Sequence, residues 1–379
     1  MITTPIFETS YLAVPRPDRL YRRIAFQRRA PDIATELLRD IVAEYGLDLS
    51  GGIEVPGGPG RSANLIVGTS AGRKMLKRYK ETVEQAAIHH EHSILTYLAT
   101  IGFPAPPLAM TRRGETLIRR AGRYYALFDV LDGYFQYHNY FHLPGQTEQF
   151  IATSGQALGS LHAALCDFAP AGLHPNGFIA RGGERWRELG WFIERLEQCR
   201  RAAPELRAEG AALLRRMLAE HAHGVETTLR ALDARLKAAA PAQLIVHGDY
   251  GPYNLFFKRG APVVILDFEL ARLDWRLTDL ATALPSFARS RLGFSFSKMR
   301  VFLAGYQARC PVEHTELALL PDVWRFLALR RLIVCWQRFC DTHAMRWLDE
   351  ARQRLDLAHW LDAERQALAG ALAQIERFV

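Results

Sequence analysis

Cysteine is scarce and scattered. The 379 residues hold five, Cys166, Cys199, Cys310, Cys335 and Cys340, with no C-x-x-C pair among them. That pattern argues against a zinc ribbon and a disulfide framework, and it suits a reducing compartment. No uncharged apolar run approaches the ~20 residues that span a bilayer. Residues 1–20 show no basic stretch followed by an apolar one, so neither a secretory leader nor a membrane partner is expected, and the cytoplasm is the expected location. No segment of about 20–50 residues recurs, which argues against solenoids and propellers.

A dense basic stripe is missing too. Lys and Arg number 48 against 40 Asp and Glu, a net charge of +8, and the excess is spread along the chain rather than gathered in a Lys-rich tail. A nucleic-acid surface would be denser, so no nucleic-acid partner is expected. The same mild excess suits an anionic small ligand such as a nucleotide. Hydrophobic residues make up 49% and charged ones 23%, an ordinary globular balance that excludes collagen-like and disordered readings. The length exceeds one ordinary core and fits two lobes, or one large α/β domain.

Ile33, Leu37, Leu38, Ile41 and Val42 recur at helical spacing and predict a helix over 31–46, ended by Gly46 and then Gly51-Gly52. A loop, PGGPGRSA, follows at 56–63. Two β-like runs, 64–67 and 74–79, flank a turn at 68–72 with hairpin chemistry. A helix is expected over 83–100, closed by Gly102 and kept closed by Pro104, Pro106 and Pro107. The aromatic run 123–131 reads as a strand. Helical patterns then prevail at 147–167 and at 205–237, with a break at Gly210 or Gly224 left open. Short apolar runs at 244–246, 255–257 and 263–266 are β-like, and everything after 275 reads as helix. The expected organisation is an N-terminal lobe over 1–130, a linker near 128–133 and a larger lobe over 131–379, with a ligand cleft between them.

The segment 244–284 carries the chemistry. His247-Gly248-Asp249 follows one β-like run, Asn254 stands five residues after Asp249, and Asp267 ends the apolar run Val-Val-Ile-Leu. Unpaired buried carboxylates are costly, so acidic residues abutting such runs need a reason other than stability. Asp249, Asn254 and Asp267 on one rim would supply oxygen ligands for a hard cation and a separate carboxylate. Mg²⁺ suits that set, because it takes one or two protein oxygens and fills its shell with phosphate and water.

HGDYGPYN has the Asp-to-Asn spacing of the protein-kinase catalytic loop, H-R-D-x-x-x-x-N. With Gly between His and Asp it resembles the aminoglycoside phosphotransferase and choline kinase superfamily. ILDFE resembles that family's counterpart of D-F-G, and Asp274 and Asp279 are similar to its further acidic positions. MLKRYKE resembles the strand with the phosphate-binding Lys, and EHSILTYLATIGFPAPP the helix with its Glu partner. The resemblance spans roughly residues 55–285. It implies an α+β, protein-kinase-like two-lobe fold, with a small antiparallel-sheet N-lobe and a large, mainly helical C-lobe. It also implies transfer of the γ-phosphate of ATP (or GTP), with Mg²⁺, to a hydroxyl. Asp249 would accept or orient the acceptor proton, Asn254 and Asp267 would hold Mg²⁺, and His247 would brace the loop.

In the N-lobe, Lys77 is the expected phosphate-binding Lys, with Lys74 and Lys80 as rivals. Side chains alternate along a strand, so Met75, Lys77 and Tyr79 oppose Lys74, Leu76 and Arg78, and register decides. Glu91 is the expected partner of Lys77, with Glu84 as rival. His89, His90 and His92 do not converge as metal ligands at that spacing, so they are read as an exposed helix face. The loop around Gly60, Arg61 and Ser62 sits where a phosphate-covering loop is expected, and its N–H groups can cradle phosphate. An ordinary turn accounts for it equally well. Asp129 and Leu131 fall where the family's lobe connection binds adenine through backbone groups.

No Ser/Thr-rich activation segment and no A-P-E follow Asp267-Phe268-Glu269. That points to a small-molecule hydroxyl, on a sugar, an amino-acid alcohol, a nucleoside or an antibiotic-like compound. The basic pI of about 9.3 argues against a highly cationic antibiotic. The aromatic segment 134–142 can line the acceptor site or pack the linker onto the large lobe. The alternative function is a catalytically silent kinase-like binding or regulatory protein.

Overall fold

The computed structural model describes residues 33–55, 63–134, 146–169, 188–290 and 293–375. The small lobe begins with helix α1 (Thr35–Glu44), followed by strands β1 (Leu49–Glu54), β2 (Ala63–Thr69) and β3 (Gly72–Arg78). Helix α2 (Gln85–Thr100) intervenes before β4 (Ile118–Arg120) and β5 (Arg123–Asp129). The strands form one sheet in the order β1-β2-β3-β5-β4, each pair antiparallel.

Strand alternation gives this sheet two working faces. Leu65, Val67, Leu76, Tyr125 and Leu127 bury one face against Leu38, Ile41 and Val42 of α1. Tyr79, Ala126 and Phe128 on the other face join Ile88 and Leu95 of α2 in the main core. Gly51 and Gly52 do not end a helix as the sequence suggests. The helix already stops at Glu44, and both glycines lie inside β1, whose irregular pairing with β2 sets Gly51 against Gly68.

The large lobe is mainly helical. It comprises α3 (Gln146–Leu165), α4 (Leu189–Ala202), α5 (Ala211–Ala239), α6 (Leu277–Phe287), α7 (Phe296–Gln307), α8 (His314–Leu317), α9 (Leu320–Thr342), α10 (Arg346–Ala363) and α11 (Arg365–Ala373). Between α5 and α6 lie two small antiparallel pairs: β6 (Gln243–Val246) with β9 (Arg272–Trp275), and β7 (Leu255–Phe256) with β8 (Val264–Ile265). These pairs hold both acidic motifs at their ends. The open question over 205–237 resolves as one helix that begins after Gly210, at φ 86°, and runs unbroken through Gly224. A two-residue pair, Arg289–Ser290 with Gly293–Phe294, interrupts the expected all-helical tail.

Helices α3 and α7 lie close enough for backbone contact. A Cβ on Gly155 would run into the carbonyl of Phe302, and one on Gly305 into that of Ala152. Gly224, by contrast, has open space where a Cβ would go. Gly155→Ala should therefore destabilise the protein by about 1–3 kcal/mol through overpacking. Gly224→Ala should stabilise it by about 0.5–1 kcal/mol, because alanine is the better helix former. Denaturant unfolding of the two variants checks the opposite signs.

Candidate active site

Strand register delivers Lys77 to the face that looks at the large lobe. Its side chain is buried, with Nζ 2.7 Å from Glu91 Oε1 and 3.8 Å from Asp267 Oδ1. Burial works against the ammonium charge, but Glu91 and Asp267 outweigh it and hold the Lys above its ordinary range. Lys74 points to the opposite face and pairs with Asp129. Lys80 and Glu84, the rival candidates, are exposed.

Glu91 is itself held. Its Oε2 accepts from Tyr79 Oη at 3.1 Å, and Tyr79 Oη lies 2.9 Å from His92 Nε2. His92 Nδ1 lies 2.8 Å from Thr116 Oγ1. Burial, aided by the charge of Lys77, pushes His92 down to about 3, so the ring is neutral. With its one proton on Nε2 it donates to the Tyr79 oxygen and accepts from Thr116, leaving Tyr79 to donate to Glu91. The expectation of an exposed histidine face is thus corrected. His89 is exposed, but His90 and His92 are buried, because α2 is covered on both flanks. On the other flank, His90 Nε2 donates to the carbonyl of Ala271 at 2.9 Å, joining α2 to the turn after Asp267.

The catalytic-loop candidate follows β6. Asp279, in the first turn of α6 and fully buried, accepts from the N–H of His247 at 2.6 Å and of Gly248 at 2.8 Å. Its third bond is from His162 Nε2 at 3.0 Å, and His162 Nδ1 lies 2.7 Å from Tyr306 Oη. Burial would raise the Asp279 carboxyl, but the His162 hydrogen bond and the neighbouring histidines bring it below its ordinary value. His247 Nε2 donates to the carbonyl of Leu266 at 2.8 Å, tying the loop to the residue before Asp267. Asp274, by contrast, lies in β9, bonded to Arg272 and the Trp275 N–H.

Asp249 is half-buried. Its Oδ1 accepts from Tyr253 Oη at 2.7 Å, and its Oδ2 lies 3.4 Å from the Asn254 amide nitrogen. Burial raises its pKa, Asp267 adds to the rise, and the hydrogen bonds oppose it. The Asn254 amide nitrogen donates to the Asp249 carbonyl at 2.9 Å. The Leu266 N–H donates to the Asn254 carbonyl at 2.8 Å, so Asn254 and Asp267 lie side by side. Asp267 sits in the left-handed region at φ 63°, a strained choice for a residue with a Cβ. Its carboxylate is 40% exposed, on the cleft. One carboxylate and one amide oxygen are hard donors, and they fit a cation that takes the rest of its shell from phosphate and water. Among the described residues, no three His, Cys, Asp or Glu gather into an all-protein cage.

The structure thus brings Lys77, Glu91, Asp249, Asn254 and Asp267 to one cleft. Gly60 and Ser62, expected on the phosphates, lie outside the described residues, as does most of the aromatic segment 134–142. Asp129 ends β5, and its N–H donates to the Pro107 carbonyl at 3.0 Å. Leu131, half-buried, lies two residues beyond. Sequence reasoning missed Tyr79, His90, His92, His162 and Tyr253. His162 left a signal, as a ring among the apolar positions Leu158, Leu161 and Leu165 of α3, and Tyr79 left one as a neighbour of Lys77 on its strand face.

Residues 54–320 match the profile of the phosphotransferase enzyme family. A homoserine kinase of Rhodopseudomonas palustris is 29% identical over 311 residues, 80% of this chain and 84% of that protein. A microcompartment-associated aminopropanol kinase has the same fold, with TM-score 0.60 and 18% identity over 89% of this chain and 99% of that one. The amicoumacin kinase hAmiN, solved in complex with AMP-PNP, Ca²⁺ and Ami, gives TM-score 0.56 and 14% identity over 81% and 88% of the two chains.

The neutral His92 makes stability pH-dependent with a defined sign. Its folded pKa is depressed, so the unfolded chain binds the proton first, and stability is lost as pH falls from about 6.5 toward 3. Each pH unit in that window should cost up to about 1.4 kcal/mol through this group. His92→Gln should be less stable than wild type at pH 7.5 yet lose less between pH 7.5 and 5.5, as measured by chemical unfolding.

Proposed function

The chain belongs to the phosphotransferase enzyme family, acting on a small-molecule hydroxyl, and on that premise we propose that its donor is Mg·ATP and that the cleft residues divide the work as follows. Asp249 takes the proton of the acceptor hydroxyl. Lys77, aimed by Glu91, binds the donor phosphates as a point charge. Asn254 and Asp267 hold Mg²⁺, which when bound would neutralise charge on the phosphate oxygens. The lobes divide near 128–133, and the setting is the cytoplasm. The observation that carries this reading is Lys77 Nζ standing 2.7 Å from Glu91 and 3.8 Å from Asp267, a buried cation joining the small lobe to the metal-ligand candidate.

The acceptor is best sought among small amino alcohols, homoserine first. The homoserine kinase likeness supports this choice. So does the short path from Asp267 through β9 to α6 at Leu277, which leaves no segment on which to lay a peptide. The catalytically silent alternative gains nothing from a cleft in which Lys77, Glu91, Asp249, Asn254 and Asp267 meet. The deciding experiment measures ADP release with Mg·ATP and homoserine, ethanolamine, choline or aminopropanol. No release above the acceptor-free rate with any small alcohol would refute the reading.

Asp249→Asn should lower turnover by ~10²–10⁴ and leave Mg·ATP binding nearly intact, as loss of a positioned base does. Asp267→Ala should abolish Mg²⁺-dependent nucleotide binding, with Asn254→Ala a milder version, both read by titration. Lys77→Met should raise the KM for ATP and lower turnover, Glu91→Gln should do so mildly, and Lys74→Met should do little. A damaging Lys74→Met beside a silent Lys77→Met would remove Lys77 from the phosphates.

A further inference from the structure

Tyr253 lies four residues after Asp249, within the single 3-10 turn Pro252–Asn254. The turn folds the phenol back over the chain, so that Oη donates to Asp249 Oδ1 at 2.7 Å. Gly251 makes room for this. A Cβ there would stand 2.7 Å from Cε1 and 2.9 Å from Cζ of the Tyr253 ring. The residue keeps 46% of its surface exposed.

A hydroxyl donating to Asp249 is also the contact that the acceptor must make. In the transfer, the acceptor oxygen forms a bond to the γ-phosphorus. The bond from that phosphorus to the bridging oxygen breaks, its electron pair stays on ADP, and the acceptor proton passes to Asp249. Water can follow the same course, giving ADP and inorganic phosphate, with its proton passing through Asp249 to solvent. We propose that Tyr253 is a positioning residue that occupies Asp249 Oδ1 until an acceptor displaces it, and so suppresses hydrolysis of ATP by water. This rests on the reading of Asp249 as the base.

Tyr253→Phe removes the donor and keeps the ring. Acceptor-free hydrolysis of Mg·ATP should rise about tenfold, as expected for losing a hydrogen bond to a charged group. The KM for the acceptor should fall by a similar factor, because the acceptor no longer has to displace the phenol. Gly251→Ala should produce both changes with the tyrosine still present, because the added methyl displaces the ring. Unchanged acceptor-free hydrolysis in both variants, or an acceptor KM that does not fall in Tyr253→Phe, overturns the proposal. Equal turnover by Asp249→Asn and wild type would instead overturn the base assignment, and the cap with it.

Discussion

The large lobe's half of the cleft hangs on one buried carboxylate. Asp279 takes two consecutive backbone N–H groups of the His247-Gly248 turn and the ring of His162, with no exposure to water. A buried charge is tolerable only when its hydrogen bonds are all made. Asp279 meets that condition by fixing the direction in which the chain leaves β6, and hence where Asp249 emerges. Through His162 and Tyr306 the same carboxylate is braced by α3 and α7, the two helices in backbone contact. The glycines at that crossing and the geometry of the loop are therefore parts of one arrangement.

The small lobe solves the complementary problem of burying a cation. Lys77 is nearly inaccessible, and Glu91 cancels its charge where water cannot. A carboxylate so placed must point one way, and Tyr79, His92 and Thr116 hold it there in a chain of donors and acceptors. Such a chain is worth most when every member is satisfied. His92 serves by staying neutral, since a second cation beside Lys77 would repel it.

Much of this was legible in the sequence, for identifiable reasons. HGD-x4-N and the acidic end of Val-Val-Ile-Leu stand out because carboxylates beside apolar strands are costly without a role. The Lys77 register was readable because a strand alternates with period two, so naming Met75 and Tyr79 as its companions already placed the face. The burial of His90 was not readable, since its partner, Ala271, lies 181 residues away. Nothing local in His89-His90-Glu91-His92 shows which flanks will be covered. Strands β1 and β4 were missed because one is glycine-rich and the other is three residues long with two arginines. The bond from the Asp129 N–H to the Pro107 carbonyl was not readable either, because that carbonyl arrives from a segment without regular structure.

The direct path from Asp267 to α6 also bears on how such a protein is controlled. In protein kinases the segment after the metal-binding Asp is where phosphorylation orders or releases the site. Here the chain passes from Asp267 through one short 3-10 turn and a four-residue strand into the helix that carries Asp279. No loop is left between them to be modified or rearranged. A switch built on a loop in that stretch has nothing to act on here, and the fold alone sets the spacing of the two acidic residues.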